Sequence, residues 1–412
     1  MNITGIVVEY NPFHNGHLYH ISKTREKTNC DAIVAVMSGN FAQRGIPTIV
    51  DKWNRTKMAL MNGVDLVIEL PLIYSLSSAE FFAFGAVSLL NSLGIVNNLC
   101  FGSECGNAEI LSFIGKILVE EPLEFKKILK ENLDKGLSYP NARSKSLIQF
   151  LNVFDDKKLS THNIEEILSS SNNILGIEYC KSLIKLNSSI NPFSIQREGG
   201  NYNSLSLDDR FSSATSIRKF IKENNNLKGI ESHLPQNVYN ILSNLKNNNY
   251  NFTFEDLLLP YIKYKSILFK DSIENLPDVS EGIHNRIYRF LEAAKSYDEL
   301  VSSVKTKRYT YTRISRILCQ FFLGFETFDT TTLRHKSCPY ARILGFNDMG
   351  LKILKAAKQQ SSIPIYNKLP KDLDELLTLD LLGTKTYSLI NGSISPNSDY
   401  VISPIKRSEL NN

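Results

Sequence analysis

EYNPFHNGHLYH, residues 9–20, holds three of the chain's seven histidines within seven residues. It follows directly on ITGIVV, a Val- and Ile-rich run with the pattern of a strand buried on both faces. Pro12 cannot extend a strand ladder, so the chain turns there. Gly16 has no β-carbon, which lets backbone come close to a ligand. A helix from about Gly16 onward would point free backbone N–H groups and a positive dipole end at the turn, a ready anion site. His14 and His17 are three residues apart, so both rings can face one space. Two imidazole donors at a helix terminus suit the charge that builds on a phosphate during transfer. Neutral imidazole can also serve as base or metal ligand, but no third ligand stands at tight spacing, and no metal site is assigned.

Working outward, DAIVAVMSG, VDLVIELP and NNLCFGSE repeat the buried-strand pattern. LYHISKTREKTN, DKWNRTKMALMNG and SAEFFAFGAVSLLNSLG lie between them with helical spacing. Alternation of this kind predicts an α/β fold, a doubly wound parallel sheet with right-handed crossovers. Ligands on such sheets bind at the carboxyl ends of strands, where both EYNPFHNGH and FGSE lie. From about Glu109 to Asn173 the pattern is helical, and NPFSIQREG reads as one more strand. The polar, turn-rich 222–237 stretch predicts a boundary between a catalytic domain over 1–225 and a mainly helical domain over 226–412. In the second part VYNILSNLK, IHNRIYRFLEAAKS and TRISRILCQFFLGF are helical, with a short β segment near SIPIYNK.

The 412-residue length also makes two domains the expectation, with three as the alternative. No apolar run reaches membrane-spanning length and the N-terminus carries no secretion pattern, so a cytoplasmic location is expected. The six cysteines lack CxxC or zinc spacing and read as reduced, mostly buried thiols. The net charge of +5 is unevenly spread: residues 301–360 hold eleven Lys or Arg against three acidic residues, a local +8 that leaves −3 for the remainder. Clustered positive charge attracts phosphate backbones.

A second motif, SSATSIR (Ser212–Arg218), opens a helix after the last strand. Ser213 or Thr215 can cap that helix while Arg218 neutralises phosphate. There is no Walker A sequence and no GxGxxG, which removes P-loop and dinucleotide readings. HNGH together with SSATSIR resembles the HxGH and ISSTxIR-type signatures of nucleotidyltransferases and class I aminoacyl-tRNA synthetases. Ser212 and Ala214 depart from the second signature. GIVVEYNPFHNGHLYH, VAVMSGNFAQRGIPTIVDKWNRTKMAL, GVDLVIELP, FGSE, NNILGIEY, SSATSIRK, KRYTYTRISRIL and YARILGFN are more specifically similar to the bacterial tRNA(Met) cytidine acetate ligase family. That family has a Rossmann-like nucleotidyltransferase domain and a basic C-terminal domain. The resemblance implies ATP-dependent joining of acetate to the N4 amine of the wobble cytidine of elongator tRNA(Met), through an acetyl-adenylate, with AMP and pyrophosphate released.

The same resemblance implies that ATP lies along Val7, Val8, Glu9, Tyr10, Asn11, Pro12, Phe13, His14, Asn15, Gly16, His17, Leu18, Tyr19 and His20, with Mg2+ assisting. His14, His17 and Arg218 are the implied catalytic residues. Gly102, Asn172, Arg197, Glu198, Ser213 and Thr215 would complete the nucleotide contacts, and Asn173 competes with Asn172 for its place. Helix capping is the alternative for that asparagine pair. Lys305, Lys307, Arg308, Arg313 and Arg316 are expected on the tRNA. Tyr309 and Tyr311 are candidates for stacking on bases or for plain helix packing. Gln43, Arg44, Asp51 and Lys52 are candidates for the acetate or base pocket, with a salt bridge as the competing role for Arg44 and Lys52. A small-molecule adenylyl- or cytidylyltransferase shares the two motifs but leaves the basic second part unexplained. A non-catalytic tRNA-binding scaffold leaves the histidines unexplained.

Overall fold

The computed structural model describes residues 1–137, 139–153, 164–197, 212–269 and 272–410. Five strands, β1 (Ile3–Val8), β2 (Ala32–Ser38), β3 (Leu66–Leu70), β4 (Asn98–Ser103) and β5 (Asn191–Gln196), form the core sheet. Their order is β3-β2-β1-β4-β5 and every neighbouring pair is parallel. The order reverses between β1 and β4, the place where such sheets open a ligand crevice. Helices that pack on it include α1 (Asn15–Thr28), α2 (Lys52–Met61), α3 (Ala79–Ser92), α4 (Ala108–Glu120), α5 (Ser171–Lys185) and α6 (Ala214–Asn224).

The apolar runs are continuous because both faces are covered. Ile6, Val8, Ile33, Ala35, Met37 and Val67 pack with Ile21 of α1, Met58 of α2 and Ile217 of α6. The alternate residues Ile3, Ala32, Val34, Val36, Leu66 and Ile68 pack with Leu90 of α3, Ile114 of α4 and Ile177 of α5. Burying such a side chain stabilises by about 1.5–3 kcal/mol, so register is firmly held.

Beyond residue 226 the helices expected from sequence are present, including α7 (Tyr311–Leu323), α8 (Asp348–Gln360) and α9 (Glu375–Asn391). So is the short strand near SIPIYNK, at Ile365–Tyr366. The sheet itself also draws on this part of the chain. Strand β6 (Ala341–Phe346) lies antiparallel to β3, and Ile405–Lys406 pairs with β6 in turn. The 222–237 stretch is packed rather than free: Leu227, Ile230 and Leu234 are buried against the α1/α6 side of the sheet.

Two contacts lock the helical part onto the sheet. Gly45, in the loop after β2, has φ +79°, and a β-carbon there would fall 2.3 Å from the backbone of Ser315 and Arg316 on α7. Its carbonyl accepts a bond of 2.9 Å from Ser315 Oγ. The other lock is ionic. Lys52 Nζ sits 2.7 Å from Glu69 and 2.8 Å from Asp399, and Arg342 of β6 contacts the same two carboxylates at 3.3 and 2.6 Å. All four side chains are buried, and such a group holds only while each charge keeps its partners. No described helix is long and apolar enough to cross a membrane.

Candidate functional site

At the carboxyl end of β1 the two histidines build the start of α1. His14 is the N-cap, and its Nδ1 accepts the Gly16 N–H at 3.0 Å. In return His17 Nδ1 accepts the His14 N–H at 3.2 Å. This reciprocal cap puts imidazoles where a Ser–Glu capping box is usual. A β-carbon on Gly16 would lie 2.9 Å from the His14 ring, so the cap requires glycine. The two rings stack with centroids 3.7 Å apart, above a floor of Tyr10 and Phe13 that meets His17 at 4.9 and 5.5 Å.

Both Nδ1 atoms accept hydrogen bonds, so each neutral ring carries its proton on Nε2. Burial, with the Arg197 charge adding to it, holds His14 down at about 3. Burial likewise keeps His17 well below its usual value, with the His14 and Arg197 charges next in size, and lowers His20 to about 4. The Nε2 atoms of His14 and His17 are therefore uncharged donors at neutral pH. Beneath them the Tyr10 hydroxyl and His20 Nε2 are buried with no hydrogen-bond partner among the described residues.

The loop between β1 and α1 is held from three sides. Asn11 Oδ1 accepts the Ile49 N–H at 2.8 Å and Arg218 Nη1 at 2.9 Å. Arg218 is buried, and it also reaches the Pro47 carbonyl and the Glu255 carboxylate, at 3.2 and 3.0 Å. Arg55, fully buried, donates to the carbonyls of Glu9, Ser38, Gly39 and Val50 and so ties the ends of β1 and β2 together. Glu9 Oε1 accepts the Gln43 N–H at 2.6 Å. Burial pushes the Glu9 carboxyl above its ordinary range, against the pull of that bond and of Arg44, Arg55 and Arg218. At the start of α6, Ser213 caps the helix through the Ser216 N–H, and Arg44 Nη1 reaches Thr215 Oγ1 at 3.3 Å.

The end of β4 forms the opposite wall. Arg197 crosses over Gly102, its Cγ 3.4 Å from where a β-carbon would stand. Glu104 caps α5 from outside, its carboxylate accepting the backbone N–H groups of Asn172 and Asn173 at 3.2 and 2.8 Å. The Asn172 amide also donates to Glu104, and Asn173 Oδ1 accepts the Cys105 N–H at 3.0 Å. Both asparagines thus fix the β4 loop, and neither is the N-cap.

Val7, Val8, Tyr10, Asn11, Pro12 and Phe13 line the turn as largely buried structure, whereas Leu18 is exposed and Asn15 donates to the Ser232 carbonyl. Tyr19 is half-buried on α1. Glu198 lies outside the described residues. Asp51 caps α2 and bonds Tyr250, and Lys52 belongs to the buried ionic lock. Of the pocket candidates only Gln43 and Arg44 face Glu9 and α6. Among residues expected on RNA, Lys305, Lys307 and Arg308 are exposed, the last paired with Glu281 at 3.0 Å. Arg313 donates to the Asp278 carbonyl and Arg316 pairs with the Asp278 carboxylate at 3.5 Å. Tyr309 is buried under the Arg313 guanidinium, and its hydroxyl bonds Ser280. Tyr311 is half-buried and donates to Asp298.

Arg55, Glu104 and Glu255 were not singled out from sequence. Arg55 did leave a trace: Lys52, Arg55, Thr56 and Ala59 recur at helical spacing on a face that proves buried.

The family profile described as HIGH Nucleotidyl Transferase matches residues 1–400. The chain is 61% identical over 405 residues to the tRNA(Met) cytidine acetate ligase of Clostridium kluyveri, which spans 98% of this chain and 99% of that protein. It is 59% identical over 405 residues to the ligase of the same name from Clostridium novyi, with the same coverage. Among solved structures, Thermotoga maritima TmcAL superposes with a TM-score of 0.90 in its apo form and 0.86 bound with alpha-thio ATP. Each is 35% identical and covers 98% of this chain and 99% of that one.

Proposed function

Because the chain belongs to the tRNA(Met) cytidine acetate ligase family of HIGH nucleotidyltransferases, we propose that it joins acetate to the N4 amine of the wobble cytidine of elongator tRNA(Met). The observation that carries this reading is the stacked, uncharged His14–His17 pair at the N-terminus of α1, beside the point where strand order reverses. Free acetate is unreactive toward an amine whose lone pair is delocalised into the cytosine ring. ATP solves this by converting acetate to acetyl-adenylate: a carboxylate oxygen attacks the α-phosphorus and pyrophosphate leaves. The His14 and His17 Nε2–H groups and the N-terminus of α1 stabilise the charge that develops there. Arg197 and Arg44 supply positive charge from the two walls, and Arg218 holds Asn11 and so the shape of the loop. No cluster of three or more His, Cys, Asp or Glu among the described residues could hold a metal; Mg2+ would enter on the triphosphate oxygens, where it offsets their charge.

The wobble base lies in a loop and can be splayed into the crevice at low unstacking cost. Residues 1–225 bind ATP in this reading, and 226–412 hold the tRNA through exposed Lys305, Lys307 and Arg308, in the cytoplasm where tRNA resides. The test is to incubate the protein with labelled acetate, ATP and bulk tRNA and digest the RNA to nucleosides. Label in N4-acetylcytidine supports the proposal; unlabelled nucleosides with intact ATP overturn it.

A further inference from the structure

We infer that the helix Leu259–Leu268 carries a docking surface for a second copy of this chain, and that two copies pair across it about a two-fold axis. None of its residues takes part in the reaction proposed above.

A surface helix ordinarily buries an apolar stripe and turns polar residues to solvent. This one is apolar on both sides. Leu258, Leu259 and Ile262 are buried in the core. On the solvent side Leu257, Tyr261, Tyr264, Ile267, Leu268 and Phe269 are each 38–70% exposed. Leu257, Tyr261, Tyr264 and Leu268 recur at steps of four, three and four residues, the spacing of a seam that packs against another helix. Tyr261 is set in place by its own chain: its ring meets Phe322 edge-on at 5.7 Å, and its hydroxyl donates to the Leu389 carbonyl at 3.2 Å. Leu389 of α9, itself exposed, extends the stripe onto a second helix.

The stripe is also without free charge. Residues 257–269 include no Asp or Glu. Their two lysines are taken up by the chain itself. Lys263 Nζ donates to the carbonyls of Glu292 and Ala294 at 3.0 and 2.7 Å. Lys265 Nζ donates to the Phe321 carbonyl at 2.6 Å and pairs with Glu326. Such a surface offers little to an RNA backbone, and it sets no like charges against each other when it meets its own copy. Its size fits the same partner. An aromatic residue presents roughly 150–250 Å² and an aliphatic one rather less, so these exposures leave roughly 600–800 Å² open. That is above the roughly 300–600 Å² of a monomer's largest apolar patch, and it matches the roughly 800 Å² each partner gives to a standard interface. An isologous contact needs only one such patch, because the two-fold axis presents it to itself.

Sedimentation velocity of the full chain over a concentration series, without ATP or RNA, reads the association directly. The parent should sediment as a dimer that dissociates on dilution. Ile267→Asp buries an unpaired carboxylate in both halves of the contact and should raise the dimer dissociation constant at least about 100-fold. Tyr264→Lys should do the same by an independent change. Both variants should keep the parent's far-ultraviolet circular dichroism, because these side chains are exposed within one copy. Leu123→Asp, at an exposed leucine outside the stripe, should leave the dimer intact. A parent that is monomeric throughout overturns the inference, and so does a dimer that survives both stripe substitutions. A monomeric parent whose Ile267→Asp variant loses tRNA affinity overturns it too, and makes the stripe an RNA surface.

Discussion

His14 has two jobs for one ring in the proposed reaction: Nδ1 closes the first turn of α1, and Nε2–H stays a donor for the phosphates. The first job fixes the tautomer needed for the second, which is why a histidine, rather than a serine, suits this cap. Burial also sets a pH dependence. An unfolded histidine titrates near 6.5, whereas His14 is held at about 3 and His20 at about 4. The unfolded chain therefore binds protons first as the solution is acidified. The stability from these neutral rings is fully present above 6.5 and is lost as pH falls toward the folded values. Thermal unfolding should move to lower temperature between about pH 7 and pH 5. In His14→Asn, which retains an N-cap acceptor, the shift should be shallower; an equal slope would contradict the assignment. The paired spacing of His14, Gly16 and His17 was legible in sequence because local geometry alone brings them together. The partners of Arg218 were not, since Asn11 and Glu255 lie far from it along the chain.

Among the elements, β1 to β4 were readable because parallel strands covered on both faces give runs of apolar residues, whereas β5, NPFSIQ at the sheet edge, is only partly buried. β6 was not readable, although ARILGF is almost wholly buried. It is short, lies among basic helical segments, and carries Arg342 in its interior, a residue that argues against a buried strand until its partners are known. Those partners, Glu69 and Asp399, share Lys52 with it. Lys52 itself was a pocket candidate, and its neighbour Asp51 turned out to cap α2. Removing one member of such a buried group leaves an uncompensated charge. Lys52→Met should destabilise the protein by about 3–5 kcal/mol in urea unfolding. A loss below about 1 kcal/mol would show that the charges are not interdependent.

On the scale of the whole molecule, the basic segment over 301–360 divides by its surroundings. Arg313, Arg316, Arg334 and Arg342 brace the interior through Asp278, Glu69 and Asp399. Lys305, Lys307, Lys352, Lys355 and Lys358 are exposed. Sequence shows that charge is concentrated but not which of it faces solvent, because the acidic partners are remote. Surface lysines bind RNA by releasing counterions, so Lys305→Ala with Lys307→Ala should weaken tRNA binding and flatten its salt dependence by about 0.7–0.9 in log–log slope for each lysine. An unchanged slope would move the RNA surface elsewhere.

In the proposed reaction the loop after β1 is where a carboxylic acid is activated. Quenching a reaction of protein, ATP and labelled acetate, with tRNA left out, and measuring labelled acetyl-adenylate tests this most directly. The account predicts acetyl-adenylate in the parent and none in His17→Ala, with tRNA affinity retained in the variant. Undiminished acetyl-adenylate in His17→Ala, or none in the parent, would contradict it.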